Sequence, residues 1–112
     1  MKYIVYLTTN IKNNKIYIGV HKTENPEIFD GYIGCGVNIY STLNNPKTPF
    51  QYAVKKYGYD SFHRAIIKIF DTQEEALDLE EELVNEAFIK RQDTYNITIG
   101  GGMPPLLNKV IY

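Results

Sequence analysis

One cysteine, no apolar stretch of membrane length and almost no net charge leave few classes open to this chain of 112 residues. Cys35 has no partner for an intrachain disulfide, so the fold must rest on packing, and a reducing, cytoplasmic setting is expected. A membrane span needs about 20 apolar residues in succession. No run approaches that, although 44% of the residues are hydrophobic, so no membrane partner is expected. Met1 leads straight into a strand pattern instead of a basic and then apolar leader, so secretion is not expected either. With 12 basic and 13 acidic residues the chain is no polycation, and any nucleic-acid contact must come from uneven distribution. The acids do gather between Asp71 and Glu86, whereas Lys12, Lys15, Lys22, Lys47, Lys55 and Lys56 lie in the first half, which permits a basic face. Arginine is scarce, with Arg64 and Arg91 alone. Internal repeats and low-complexity segments are absent, and the length suits a single domain with a real core.

What is present begins with a hairpin. Tyr3, Val5 and Leu7 alternate with Lys2, Ile4, Tyr6 and Thr8, the period of two expected of a strand. After the polar break at 9–14, Lys15 to Val20 repeats the alternation. Asparagine tolerates positive φ, so Asn13-Asn14 is the expected two-residue turn, pairing Asn10 with Tyr17, Thr8 with Gly19 and Tyr6 with His21. Those three pairs share one face with Ile4. Val5, Leu7, Ile16, Ile18 and Val20 face the other way and form the obvious core side. Aromatics fit a half-buried pleated surface, so either tyrosine alone reads as structural. Two tyrosines together with His21 on one face ask for a chemical reason.

From Thr23 to Asn45 the sequence is rich in Asn, Pro and Gly, and mostly irregular structure is expected, with Gly31, Gly34 and Gly36 as sites of positive φ or close approach. Pro49 suits the first turn of a helix over 50–57 that stops at Gly58, with Phe50, Ala53, Val54 and Tyr57 inward and Lys55 and Lys56 outward. Phe62 to Phe70 reads as a third strand, largely buried through Ile66, Ile67 and Ile69, with Arg64 and Lys68 on one side. Thr72 and Glu75 form a capping box for a helix running to about Arg91. At ~100° per residue, Ala76, Leu77, Leu83, Val84, Ala87 and Phe88 make one apolar stripe, and Glu80 falls near its middle. A carboxylate there is costly unless it is paired, bound to a metal, or let out at the helix edge. An ion pair with Arg64 or Lys68 would satisfy it as well as a metal would. The segment 93–99 reads as a short extended piece, and Asn96 by itself reads as a turn or hydrogen-bonding residue.

Ile4-Val5-Tyr6, then ten residues, then Tyr17-Ile18-Gly19 resembles the paired signature of the GIY-YIG nuclease family. The likeness extends to Gly19-Val20-His21-Lys22-Thr23, Asp30 through Gly36, Lys55-Lys56-Tyr57-Gly58, Thr94-Tyr95-Asn96 and Gly100-Gly101, which is nearer to the phage and homing-type endonucleases. It covers residues 3 to about 102. The resemblance implies an α+β fold, a small three-stranded antiparallel sheet flanked by helices over 1–102, with 103–112 a tail or the start of a linker. It also implies hydrolysis of phosphodiester bonds in DNA with one divalent ion, Mg²⁺ or Mn²⁺, on Glu80, since the family's metal glutamate is followed after two residues by two apolar ones, as Leu83-Val84 follow Glu80. Tyr6, Tyr17 and His21 would then handle the attacking water: the resemblance implies that Tyr6 orients or deprotonates it, while imidazole titrates nearest neutrality, so His21 is expected to take the proton directly or through Tyr6, with Tyr17 hydrogen-bonding water or phosphate. Asn96 matches an asparagine near the family's active site, and Tyr32 borders it.

Two departures qualify the likeness. Ile4 stands where the family has glycine, and no arginine lies between Val20 and Asn45, where many members carry one. Lys22, His21 or Arg64 must take its place at the phosphate, although lysine lacks arginine's bidentate grip. The rival reading is a non-catalytic nucleic-acid-binding or regulatory module that kept the fold, and RNA in place of DNA is a further alternative. Homing-type relatives read their target through a separate C-terminal region, so specificity is expected from such a region, from dimerisation or from a partner.

Overall fold

The two alternating runs at the N-terminus become two long strands because their β-branched and aromatic residues fit a pleated surface whose one side is fully apolar. In the computed structural model, which describes residues 1–100, β1 (Lys2–Asn10) lies in the centre of an antiparallel sheet between β2 (Ile16–Thr23) and β3 (Phe62–Phe70). Between β2 and β3 come an irregular stretch and α1 (Pro49–Tyr57). After β3 come α2 (Gln73–Leu83) and α3 (Glu86–Ile89). This is the expected α+β sheet flanked by helices. The expected closing glycines 101–102 and the tail 103–112 lie outside the described residues.

Each sheet face has its own core. Val5 and Ile18, with Tyr3, Leu7, Ile16 and Val20 beside them, pack against Ala76 of α2, Val84 and Phe88. On the opposite face Phe50, Ala53 and Val54 of α1 pack with Ile33, Val37, Phe62 and Tyr95, and Tyr17 leans on this cluster. The α1 boundaries follow from local chemistry: Thr48 and Gln51 cap each other reciprocally, Pro49 opens the first turn, and Gly58 stops the helix at φ 90°.

The hairpin register differs from the expected one by two residues. The loop is Ile11 to Asn14, with only Asn14 at positive φ (64°), because Asn10 closes it from within. The Asn10 N–H donates to the Lys15 carbonyl at 2.9 Å, its carbonyl accepts from Asn14 at 2.7 Å, and its side-chain oxygen accepts from Lys12 at 2.9 Å. Tyr6 therefore faces Gly19, Thr8 faces Tyr17, and His21 faces Ile4. A shift of two leaves every side chain on its expected face, which a shift of one would not.

Three other expectations are corrected. The isoleucines of β3 are exposed, Ile66 at 37%, Ile67 at 42% and Ile69 at 44%, because the two cores take up only Phe62 and Phe70 at the ends of this strand and leave its middle uncovered. A bulge opposite Val5 and Tyr6 inserts one residue, so Arg64 lies opposite Thr8 while Lys68 lies opposite Val5, on the other face. The long helix breaks after Leu83, where Asn85 caps α3 by accepting from the Phe88 N–H at 2.9 Å. That break turns Ala87 out to solvent.

Candidate active site

Tyr6 and Tyr17 emerge from adjacent strands on the α1 side of the sheet, with ring centroids 6.3 Å apart. Between them lies Gly19, and its lack of a side chain makes the arrangement fit: a Cβ there would sit 2.5 Å from the Tyr6 hydroxyl oxygen and 2.8 Å from its ζ carbon. Gly34, at φ 138°, allows the loop to close on the same rings, its virtual Cβ lying 3.1 Å from Tyr17 and 3.2 Å from the Tyr6 hydroxyl. Gly19→Ala should therefore destabilise the fold by about 1–3 kcal/mol through overpacking, read as a lower urea midpoint, with loss of whatever activity the tyrosines serve. An unchanged midpoint would show that the rings can move aside.

The rings continue as an unbroken line. Tyr6 meets Tyr32 edge-on at 6.0 Å, and Tyr32 stacks on His21 at 4.0 Å with the planes 6° apart. Tyr32 reaches this place because its loop is pinned on several sides. The Thr8 hydroxyl donates to the Ile33 carbonyl at 2.6 Å, the Gln51 amide to the Cys35 carbonyl at 2.8 Å, and the Tyr59 hydroxyl to the Gly31 carbonyl at 2.7 Å. Burial is the main reason that the Tyr6 hydroxyl holds its proton well above the usual tyrosine range, with repulsion from Tyr17 and Tyr32 adding to it. Tyr17 is raised as well, again chiefly by burial and then by Cys35 and Glu80. Burial thus favours the neutral phenol at both positions, the form that can donate a hydrogen bond.

Glu80 reaches Tyr17 around the outer edge of β2, although α2 packs on the sheet's other face. The two line a cleft of about 140 Å³ together with Val84, Asn96, Thr98 and Gly100. The last segment builds the cleft's outer wall: Thr94 bridges to Ile16, and the Tyr95 N–H donates to the Ile16 carbonyl at 2.8 Å. Gly100 closes the wall so tightly that a Cβ on it would lie 2.6 Å from the Glu80 carbonyl oxygen. Of the two tyrosines, it is Tyr17 that shares the carboxylate's cleft. Tyr6, 1% exposed, stands behind it.

Asn96 is buried, and its amide grips the β2 backbone at both ends. Its oxygen accepts from the Ile18 N–H at 2.9 Å, and its nitrogen donates to the Ile18 carbonyl at 2.8 Å. Its geometry is that of a brace that holds the wall to the strand between Tyr17 and Gly19.

The cations are placed differently. Arg64 has a side chain only 3% exposed, and its guanidinium donates to Asp30 at 3.1 Å and to the Tyr32 carbonyl at 2.9 Å. Arg91 is held by Asp93 at 2.8 and 2.6 Å. Lys22 is exposed on the face opposite His21, its ammonium 5.9 Å from the Tyr3 ring centre. The structure thus brings Tyr17, Glu80 and Asn96 into one cleft, joins Tyr6, Tyr32 and His21 to Tyr17 through the line of rings, holds Arg64 against Asp30 and leaves Lys22 on the opposite face.

Asp30 was not singled out from the sequence. Its carboxylate lies 2.6 Å from His21 Nε2. Burial opposes its ionisation, but hydrogen bonds from His21 and the Tyr32 N–H, together with the charge of Arg64, outweigh this and bring its pKa down to about 2. Standing before Gly31, it reads in sequence as a turn residue, and it does form such a turn, its Oδ1 accepting from the Tyr32 N–H at 3.1 Å. The turn hid its second use.

A family model described as the GIY-YIG catalytic domain matches residues 2–93. Among known proteins, the putative endonuclease segD of Enterobacteria phage T4 is 44% identical over 107 residues, covering 96% of this chain and 42% of the relative. The putative endonuclease segC of the same phage is 42% identical over 99 residues, covering 88% of this chain and 43% of its own length. Endonuclease segA is 38% identical over 96 residues, covering 86% and 38%. The chain spans less than half the length of these relatives. No solved structure matches it significantly. The paired triplets on adjacent strands, the glycine that lets their tyrosines meet and the family match over most of the length agree: this chain belongs to the GIY-YIG catalytic-domain family.

Proposed function

We propose that this domain is a DNA endonuclease that hydrolyses phosphodiester bonds with one divalent ion, Mg²⁺ or Mn²⁺, held by Glu80. The observation that carries this reading is the cleft at the edge of β2 shared by the Glu80 carboxylate and the Tyr17 hydroxyl. Its donor set fits the ion: magnesium prefers hard oxygen ligands, keeps most of its waters and takes one or two protein carboxylates. Among the described residues no group of three or more His, Cys, Asp or Glu could hold a metal, so Glu80 would be a lone carboxylate ligand and water and substrate would complete the shell. The ion supplies charge neutralisation at the phosphoryl oxygens and assistance to the leaving oxygen.

The protein's own groups do the rest. His21 takes a proton from water as that water's oxygen bonds to phosphorus, the bond from phosphorus to the leaving sugar oxygen breaks, and that oxygen is protonated from solvent. Tyr17 hydrogen-bonds the water or a phosphate oxygen at the mouth of the cleft. Tyr6, buried, orients Tyr17 and Tyr32 from behind. Asn96 keeps the wall on β2, and Tyr32 presents its edge beside His21 to the substrate. Arg64, neutralised by Asp30, holds that carboxylate and the Tyr32 carbonyl in place and so supports the loop beside His21. Lys22, with Lys55 and Lys56 on the outer face of α1, is left to contact the DNA backbone away from the cleft. Target choice falls to a separate DNA-binding region, a second copy or a partner.

The deciding experiment is nicking of supercoiled plasmid with Mg²⁺, with Mn²⁺ and with EDTA. Cleavage only with the metals supports the reading. Intact plasmid under all three, with binding retained in a gel-shift assay, would mark a non-catalytic binding module instead.

A further inference from the structure

The geometry points to Asp30 as the positioning residue for His21: it holds the imidazole in the tautomer that carries its proton on Nε2, so that Nδ1 is the nitrogen left to accept a proton. The inference deepens the nuclease reading above and rests on it.

The carboxylate is fixed from several directions. Oδ2 meets His21 Nε2 at 2.6 Å, and Oδ1 accepts from the Tyr32 N–H at 3.1 Å and from Arg64 at 3.1 Å. Arg64 cannot swing away, because its side chain is nearly fully buried and donates a second bond to the Tyr32 carbonyl. The backbone turns sharply just after Asp30, with Gly31 at φ 90°. The imidazole has little freedom left either. Tyr32 covers one face of the ring, and the Tyr32 hydroxyl is itself tied to the Gly36 N–H at 3.0 Å.

An ionised carboxylate only accepts hydrogen bonds, so a neutral imidazole facing it must present N–H on that nitrogen and a lone pair on the other. A histidine used as a base needs this, since a ring free to exchange tautomers offers the wrong nitrogen part of the time. In other histidine-dependent hydrolases, replacing the orienting carboxylate with its amide preserves the geometry and loses activity through the tautomer. Asp30 also neutralises a buried guanidinium, which would be reason enough for a carboxylate at this position. The test must separate the two roles.

The test uses the full chain, free of metal and labelled with ¹⁵N, in a His63→Gln background so that His21 is the only imidazole observed. Long-range ¹H–¹⁵N spectra at about pH 8, where histidine is ordinarily neutral, report the tautomer directly. Asp30→Asn retains an oxygen for the Tyr32 N–H, and Tyr59→Phe loosens the same loop without touching His21. The expected result is an Nε2–H ring in the parent, a mixture in Asp30→Asn and an Nε2–H ring in Tyr59→Phe. In plasmid cleavage, Asp30→Asn should lower kcat about 10²–10³-fold with KM within about threefold, and Tyr59→Phe should leave both within about threefold. A mixed tautomer in the parent, an unchanged tautomer in Asp30→Asn, or the same change in Tyr59→Phe would overturn the assignment. If the parent does not cleave, the nuclease reading fails and Nδ1 loses its catalytic role, while the spectra still decide whether Asp30 sets the ring.

Discussion

Glu80→Gln is expected to reduce plasmid cleavage by about 10³-fold or more, since a Lewis-acid ion contributes several kcal/mol to such a transition state and about 1.4 kcal/mol is a factor of ten. The substitution keeps the shape of a side chain that packs against Gly100 and faces Tyr17, and it removes only the charge. Circular dichroism and the urea midpoint should therefore stay near the parent values, whereas Mn²⁺ binding followed by electron paramagnetic resonance should weaken with the activity. Glu81 and Glu82, both exposed on the same helix, supply the control. Their glutamine variants should cleave within about twofold of the parent, because charge on a solvated face is screened within roughly 10 Å. Cleavage by Glu80→Gln within tenfold of the parent would remove the carboxylate from the mechanism and the metal site with it.

Replacing His21 with alanine should lower cleavage by about 10²–10⁴-fold, the range general-base catalysis contributes. The fold should survive, because the imidazole is partly exposed at the end of β2 and neither hydrophobic core includes it. The effect should appear in kcat more than in KM, since a base acts on the proton in transit and adds little to substrate affinity. Burial raises Tyr6 and Tyr17 alike, which disfavours either phenolate as a substitute base. Near-normal turnover by His21→Ala would mean that water is deprotonated by a group other than those in the ring line, and the role given to Asp30 would fall too.

The hairpin shows how far local pattern reaches. Alternation placed Tyr6, Tyr17 and His21 on one face before any coordinates, because side-chain direction in a strand depends on parity alone. Their partners across the sheet depended on how Asn10 closed the loop, and Asn10 does so with the help of Tyr95, whose hydroxyl accepts from the Asn10 amide at 3.0 Å from 85 residues away. The isoleucines of β3 misled for a similar reason. An apolar run reads as buried, but whether a core covers it is decided by where distant segments pack, and that is not local. Glu80 was identifiable from its place in the apolar stripe of α2. Its meeting with Tyr17 was not, since it needs the last segment to dock beside β2 and build the outer wall.

Periodicity and capping residues by themselves determined the main strands and helices and the two faces of the sheet, because each depends on neighbours within a few residues, and the class of the fold came with the motif resemblance. The tertiary structure alone decided which groups share a site: that Glu80 rounds the sheet's edge to Tyr17, that Arg64 is enclosed behind the loop, and that Asp30 lies against His21. Those encounters join residues distant in the chain, and only the packing of both cores sets the distances between them.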